Sequence, residues 1–325
     1  MESDGFFQNQ YLFGNFVIES IPHPTGFLGN LLNILAIICH YFAGVTTFVI
    51  LIPILYFFYN NRFGVKMAVA ILSTGLINGL QKFIFASPRP IGLSIQFQEI
   101  QSSIKEFSFG FPSGHAHISI LVWGMFYIHF KNIYIRSLSI FFIVFTPFSR
   151  MYAGVHFLGD VLGGFLTGLL SLLFIEWFFN KHPGFPEIYD WKNAQKKIKS
   201  SVLAVTAVSL SFLLLEDDPI SSPQKHSLQQ IISASGSMAG MWWGLTQWKL
   251  KYSNYDLEDI KFLPTIFLLF ISISLFYVGM GRVSDHFFKD SMLFRFIRYF
   301  ILNFIIIYTV PFLSLVVLGE KENPA

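Results

Sequence analysis

The sequence predicts an all-α fold, a polytopic bundle of transmembrane helices, and three observations carry that reading. Of 325 residues, 53% are hydrophobic and 13% charged, about half the charged share of an ordinary soluble domain. Forty residues are Phe, far more than a water-solvated surface accommodates. The apolar runs follow one another with short polar breaks, most of them near the length at which a helix crosses ~30 Å of hydrocarbon.

Taken in order, Met1 to Gln10 is acidic and polar, with no basic leader region or cleavage site after it. The first apolar run is therefore expected to stay in the mature chain. Residues 26–42 (GFLGNLLNILAIICHYF) read two ways, as an interfacial helix or as the start of one long tilted first helix. Crossings are expected near 43–59, 65–84, 114–130, 134–148, 160–179, 201–215, 230–248, 263–281 and 297–318. Residues 180–200 hold two prolines and five lysines and form the clearest seam. The division that follows is an N-terminal segment (1–42), a catalytic core (43–180) and further transmembrane helices (201–325) without a recognised motif.

Composition also excludes classes. A net charge of +3, dispersed along the chain, gives no footprint for nucleic acid. Cys39 stands alone, which excludes an intramolecular disulfide and a cysteine metal cluster. With Met1 placed outside, 13 Lys and Arg fall in the inside breaks and 9 in the outside breaks. Three of those nine belong to the motif described next, so the remaining bias is 13 against 6. The bias predicts a protein of the cell (inner) membrane whose motif faces away from the cytoplasm.

That motif has three parts: Lys82 to Arg89-Pro90, then Pro112-Ser113-Gly114-His115, then Ser149-Arg150 to His156 and Asp160. A phosphate monoester at neutral pH carries close to two negative charges, and its transition state spreads charge over equatorial oxygens. Lys82, Arg89 and Arg150 supply three cations to hold it. Pro88 and Pro90 flank Arg89 and keep that backbone extended. Ser113, Gly114 and His115 open an apolar run, where the backbone N–H groups of a helix start form an anion site. The bare Gly114 lets phosphate come close. His156 and Asp160, four residues apart, share one helical face. A carboxylate on one imidazole nitrogen fixes the tautomer and leaves the other free to attack phosphorus. His115 can protonate the leaving alkoxide and later activate water. No metal or other cofactor is called for, because the three cations already neutralise the charge.

These eleven fixed positions, in order and with their spacings, resemble the type 2 phosphatidic acid phosphatase (PAP2) family. Its wider superfamily includes glucose-6-phosphatase, bacterial acid phosphatases and vanadium haloperoxidases. The resemblance covers about residues 65–175. It implies a helical core, a phosphohistidine on His156, acid–base action by His115, orientation of the nucleophile by Asp160, and phosphate binding by Lys82, Arg89, Ser113, Gly114 and Arg150. The expected partners are a lipid phosphate and the surrounding membrane lipids.

Other features have plainer readings. His117 faces another side of its helix from His115, and His40, His129, His182, His226 and His286 read as packing or surface residues. Glu216, Asp217 and Asp218 read as a solvated loop; Trp242, Trp243 and Trp248 read first as interface anchors. The small residues Ser233 to Ser237 suit close helix packing. Two rival functions remain at this stage. One is phosphotransfer to a second alcohol. The other is a non-catalytic scaffold or transporter, which predicts loss of a nucleophile, acid or cation, and none is lost.

Overall fold

The computed structural model describes residues 5–104, 106–183, 221–252, 257, 260–288 and 291–317. Regular structure among the described residues is helical throughout. The expected crossing at 201–215 and the acidic cluster at 216–218 lie outside the described residues.

Among the described residues, five helices are long and apolar enough to cross a membrane: Asn61–Phe85, Ile133–Tyr152, Leu158–Lys181, Phe262–Ser284 and Met292–Leu315. Gly26–Phe42 and Val45–Phe58 form a further candidate bent by 59°. The run at 26–42 is thus a helix of its own, and the bend at Ala43-Gly44 excludes a single straight first helix. Gly114–His129 has only 16 residues, or ~24 Å at 1.5 Å per residue, short for a full span on its own.

The chain forms two compact units. The first spans Met1–Phe48, Ile77–Asn180 and Ser221–Leu228, and the second Val49–Leu76, Lys181–Ile220 and Gln229–Ala325. The first unit contains α1 (Gln10–Phe13), α2 (Asn15–Glu19), α3 (Gly26–Phe42), the end of α5 (Asn61–Phe85), α6 (Gln98–Ser103), α7 (Gly114–His129), α8 (Ile133–Tyr152) and α9 (Leu158–Lys181). The second contains most of α4 (Val45–Phe58), the larger part of α5, most of α10 (Ser222–Lys251), α11 (Phe262–Ser272), α12 (Met280–Phe287) and α13 (Met292–Phe304).

In the first unit, α7 and α8 form a hairpin. Asn132 starts α8 by accepting from the Tyr134 and Ile135 N–H groups at 2.9 and 3.3 Å, the usual role of Asn at a helix start. The two helices meet where Ser119 Oγ donates to the Phe142 carbonyl at 2.8 Å and Trp123 stacks on Phe142 with centroids 4.3 Å apart. Glycines let α9 press against α7. A Cβ at Gly164 would lie 2.4 Å from the Ser113 carbonyl, and one at Gly168 would lie 2.6 Å from that of His117. The N-terminal segment is packed, not free: Phe13 fills the space over Gly159, and Phe7, Phe13 and Phe111 meet edge to face.

In the second unit, Tyr56, Met241, Leu245, Trp248, Leu302 and Ile306 share one core. Trp248 is only 2% exposed, so it is a core residue and not an interface anchor. Gly236 and Gly240 lie against the Phe296 and Phe300 carbonyls of α13, where a Cβ would come within 2.5 and 2.2 Å. This extends the small-residue run read from the sequence into a close helix contact.

Candidate active site

Every motif residue lies in the first unit, gathered around the starts of α7 and α9 and the ends of α5 and α8. Three local devices place them. The Ser113 hydroxyl begins α7 by accepting from Ala116 N–H at 3.5 Å. α8 ends with Gly154 at φ +64°, a conformation that favours glycine. There Gly154 N–H reaches the Met151 carbonyl at 2.8 Å and Val155 N–H the Arg150 carbonyl at 3.1 Å. That tight reversal delivers His156 beside Arg150. Finally, Ser113 N–H donates to the Asp160 carbonyl at 2.9 Å, joining α7 to α9.

Arg89 ties the loop before α7 to the loop after α8. Its Nε donates to the Ser108 carbonyl at 2.6 Å, and its Nη1 to the Val155 carbonyl at 2.7 Å and to His156 Nε2 at 3.1 Å. His156 Nδ1 lies 3.2 Å from Asp160 Oδ2, which also accepts from Phe157 N–H at 2.9 Å. The proton of His156 therefore sits on Nδ1, and the Nε2 lone pair faces the guanidinium. Burial disfavours protonation of His156, and the positive Arg89 and Lys82 add to it, so its pKa lies well below the usual histidine value of 6.5. The ring is neutral at neutral pH.

The sequence reading missed the centre of this cluster. Glu106, in irregular chain between α6 and α7, points its carboxylate at the place where the motif cations converge. Oε1 pairs with Arg150 Nη2 and lies 3.6 Å from His115 Nδ1, while Oε2 is 3.1 Å from Arg89 Nη2. Burial alone would raise the Glu106 carboxyl, but the guanidinium groups of Arg150 and Arg89 outweigh it and hold its pKa well below the usual carboxylate range. Glu106 carries no local motif that would have marked it. His40 was missed as well. It closes α3, its Nδ1 accepts from Arg150 Nη1 at 3.2 Å, and its ring stacks on His115 at 4.9 Å. A lone histidine inside a long apolar run was the available signal.

Lys82, Ser113 and Gly114 also have protein partners in place. Lys82 Nζ donates to Ser108 Oγ at 3.0 Å and to the Phe109 carbonyl, so it braces the loop that carries Glu106. Ser113 N–H is spent on Asp160, which leaves Gly114 and His115 as the first-turn donors. The missing side chain of Gly114 makes room for Asn78 Oδ1, 2.9 Å from where a Cβ would be. His117 behaves as read, bonding Ser171 Oγ at 3.0 Å away from the cluster.

His40, Glu106 and His115 bring ligand atoms within 4.8 Å of one another, the span of a metal site. Both Glu106 oxygens already face guanidinium groups, however, and a metal cation there would be repelled by Arg89 and Arg150. The arrangement is suited to an anion. It can grip a phosphate with two guanidinium groups, offer a neutral nucleophilic nitrogen on one side, and present a second imidazole on the other.

Residues 63–183 match the model of the PAP2 superfamily. A phosphatidylglycerophosphatase B of Bacillus subtilis (strain 168) is 32% identical over 137 residues, 38% of this chain and 63% of that protein. A protein of Escherichia coli (strain K12), provisionally named undecaprenyl-diphosphatase YbjG, is 24% identical over 129 residues, 39% of this chain and 63% of that one. The chain thus spans less than two thirds of the length of these relatives. A solved structure, described as the first transmembrane PAP2 type phosphatidylglycerolphosphate phosphatase from Bacillus subtilis, aligns at TM-score 0.42 and 25% identity, over 51% of this chain and 83% of that one.

Proposed function

Starting from residues 63–183 as a PAP2 superfamily segment, we propose that this membrane protein hydrolyses a lipid phosphate monoester, or the terminal phosphate of a lipid pyrophosphate, without a metal. The single observation that carries the reading is the anion already held: Arg89, Arg150 and His115 converge on one carboxylate, and Arg89 also reaches the His156 ring. Placed there, a phosphate has its charge met by the guanidinium groups and by the Gly114 and His115 N–H groups.

His156 Nε2 then attacks phosphorus and forms the P–N bond as the ester P–O bond breaks, with Asp160 accepting from Nδ1–H throughout. His115, which takes up a proton once the bound phosphate offsets the charge of Arg150, gives that proton to the departing alkoxide. Neutral His115 next takes a proton from water, whose oxygen attacks phosphorus, breaks the P–N bond and releases orthophosphate. The membrane-spanning helices favour a lipid substrate, because a phosphate group at a helix end is reachable from the headgroup layer.

Purified protein should release orthophosphate from at least one member of a panel comprising phosphatidic acid, phosphatidylglycerophosphate, undecaprenyl pyrophosphate, a sphingoid phosphate and lipid A. It should also trap an acid-labile, base-stable phosphoenzyme. His156→Ala should lose both while remaining folded. Near-normal phosphate release by that variant would sink the assignment, and so would strict dependence on added Mg²⁺.

A further inference from the structure

Glu106 takes no part in the proposed attack on phosphorus, yet it occupies the donors Arg89, Arg150 and His115 that the proposed reaction assigns to the phosphate. Its side chain is 14% exposed. Its carboxylate engages Arg150, stands 3.1 Å from Arg89, and lies 3.6 Å from His115 and 3.9 Å from His40. A phosphate bound by the same donors cannot share the space. The two anions together would also set three negative charges against two guanidinium groups at contact distance. Glu106 must withdraw before substrate enters, and it lies in irregular chain, so it can do so without unwinding a helix.

We infer that Glu106 is a specificity-determining residue, an internal competitor that admits doubly charged phosphates and turns away the singly charged phosphodiesters of the surrounding membrane. The inference rests on the phosphatase reading above. A tethered carboxylate competes at an effective concentration in the millimolar range or higher. A phosphodiester headgroup carries one negative charge, so its entry exchanges one unit of charge for another and gains little. A monoester or terminal pyrophosphate brings close to two, and the second charge is attracted by Arg89 and Arg150 with nothing lost in return. Phosphodiesters make up most of the headgroup layer, so a bare cationic site opening onto it would be filled by lipids that cannot react. Discrimination here comes from a penalty on the wrong ligand as much as from contacts to the right one.

The test compares wild type, Glu106→Gln and Glu106→Asp in detergent micelles. Calorimetry with inorganic orthophosphate and orthovanadate should show the Gln variant binding each about tenfold more tightly or better. In mixed micelles, increasing phosphatidylglycerol should raise its KM for a lipid monoester at fractions that leave wild type unaffected. Asp, which keeps the charge but withdraws it by one methylene, should shift the same way by less, and it serves as the readout where Gln fails to fold. Equal or weaker orthophosphate binding by the variants would overturn the proposal and make Glu106 a brace for the two arginines. Tighter binding without new sensitivity to phosphatidylglycerol would overturn the selectivity claim. A wild type that releases phosphate from no lipid monoester would sink the phosphatase reading, while the calorimetry would still decide whether Glu106 competes for the anion position.

Discussion

In the proposed mechanism, Asp160 decides which nitrogen of His156 can react. Its Oδ2 accepts from Nδ1 at 3.2 Å and is itself fixed by Phe157 N–H, which leaves Nε2 for the proposed attack on phosphorus. Asp160→Asn keeps the shape but offers a donor where an acceptor is needed. It should lower kcat by about 10²–10⁴ with KM little changed, the scale seen when a triad carboxylate is neutralised. Arg150→Ala should lower kcat by roughly 10²–10³, as expected for loss of one stabiliser of transition-state charge. A change confined to KM would mean that Arg150 serves binding alone. The pH profile follows from the depressed His156 pKa. In the proposed mechanism the reactive form is the neutral one, and a lowered pKa keeps the ring neutral below 6.5. The acid limb of kcat/KM, corrected for ionisation of the substrate, should therefore fall below 6.5; a limb at or above that value would contradict a neutral His156. At this scale the sequence was informative where chemistry demands a fixed spacing. The four-residue spacing of His156 and Asp160 marked them as a pair, although His156 sits in the loop before α9 and not on its face, whereas Glu106 and His40 reach the cluster from a loop and a distant helix. No local spacing marks such residues.

Helix α9 is the element on which the site's dimensions depend. Gly164 and Gly168 let it approach α7 until Cβ atoms at those positions would overlap the Ser113 and His117 carbonyls. Gly164→Val should push the α7 start, and His115 with it, away from His156. The expected result is a loss of about 1–3 kcal/mol of stability from overpacking and at least a tenfold fall in kcat, read by thermal unfolding and by phosphate release. Wild-type turnover in a folded Val variant would show that the α7–α9 spacing does not set the catalytic distance. Helix positions were legible because long apolar runs stand out between polar breaks. Helix faces were not. In lipid, both the packed and the lipid-facing sides are apolar, so the pattern that separates inside from outside in a soluble helix loses its contrast. This is why Trp248 read as an interface anchor and is a core residue, and why the 59° bend between α3 and α4 left no clear mark.

For the whole molecule, the site itself constrains the topology. Arg89 and Glu106 come from the chain before α7, and Arg150 and His156 from the end of α8 and the loop after it, and all meet in one cluster. The α7–α8 hairpin thus returns the chain to the face it left. α9 then runs 24 residues, ~36 Å at 1.5 Å per residue, long enough to carry the chain from the site to the opposite membrane face. Which face is which rests on charge: from the bias of 13 Lys and Arg against 6 we propose that the site faces away from the cytoplasm. A cysteine at the exposed Gln98 should then react with an impermeant maleimide in intact cells or spheroplasts, and one at Asn193 should stay unlabelled until the membrane is opened. The buried Cys39 is first replaced by Ser to remove background. Labelling of both positions in intact cells would break the parity that α9 imposes. Labelling at Asn193 but not Gln98 would keep that parity and invert the protein, moving its substrate pool to the cytoplasmic leaflet while leaving the chemistry proposed for His156 unchanged.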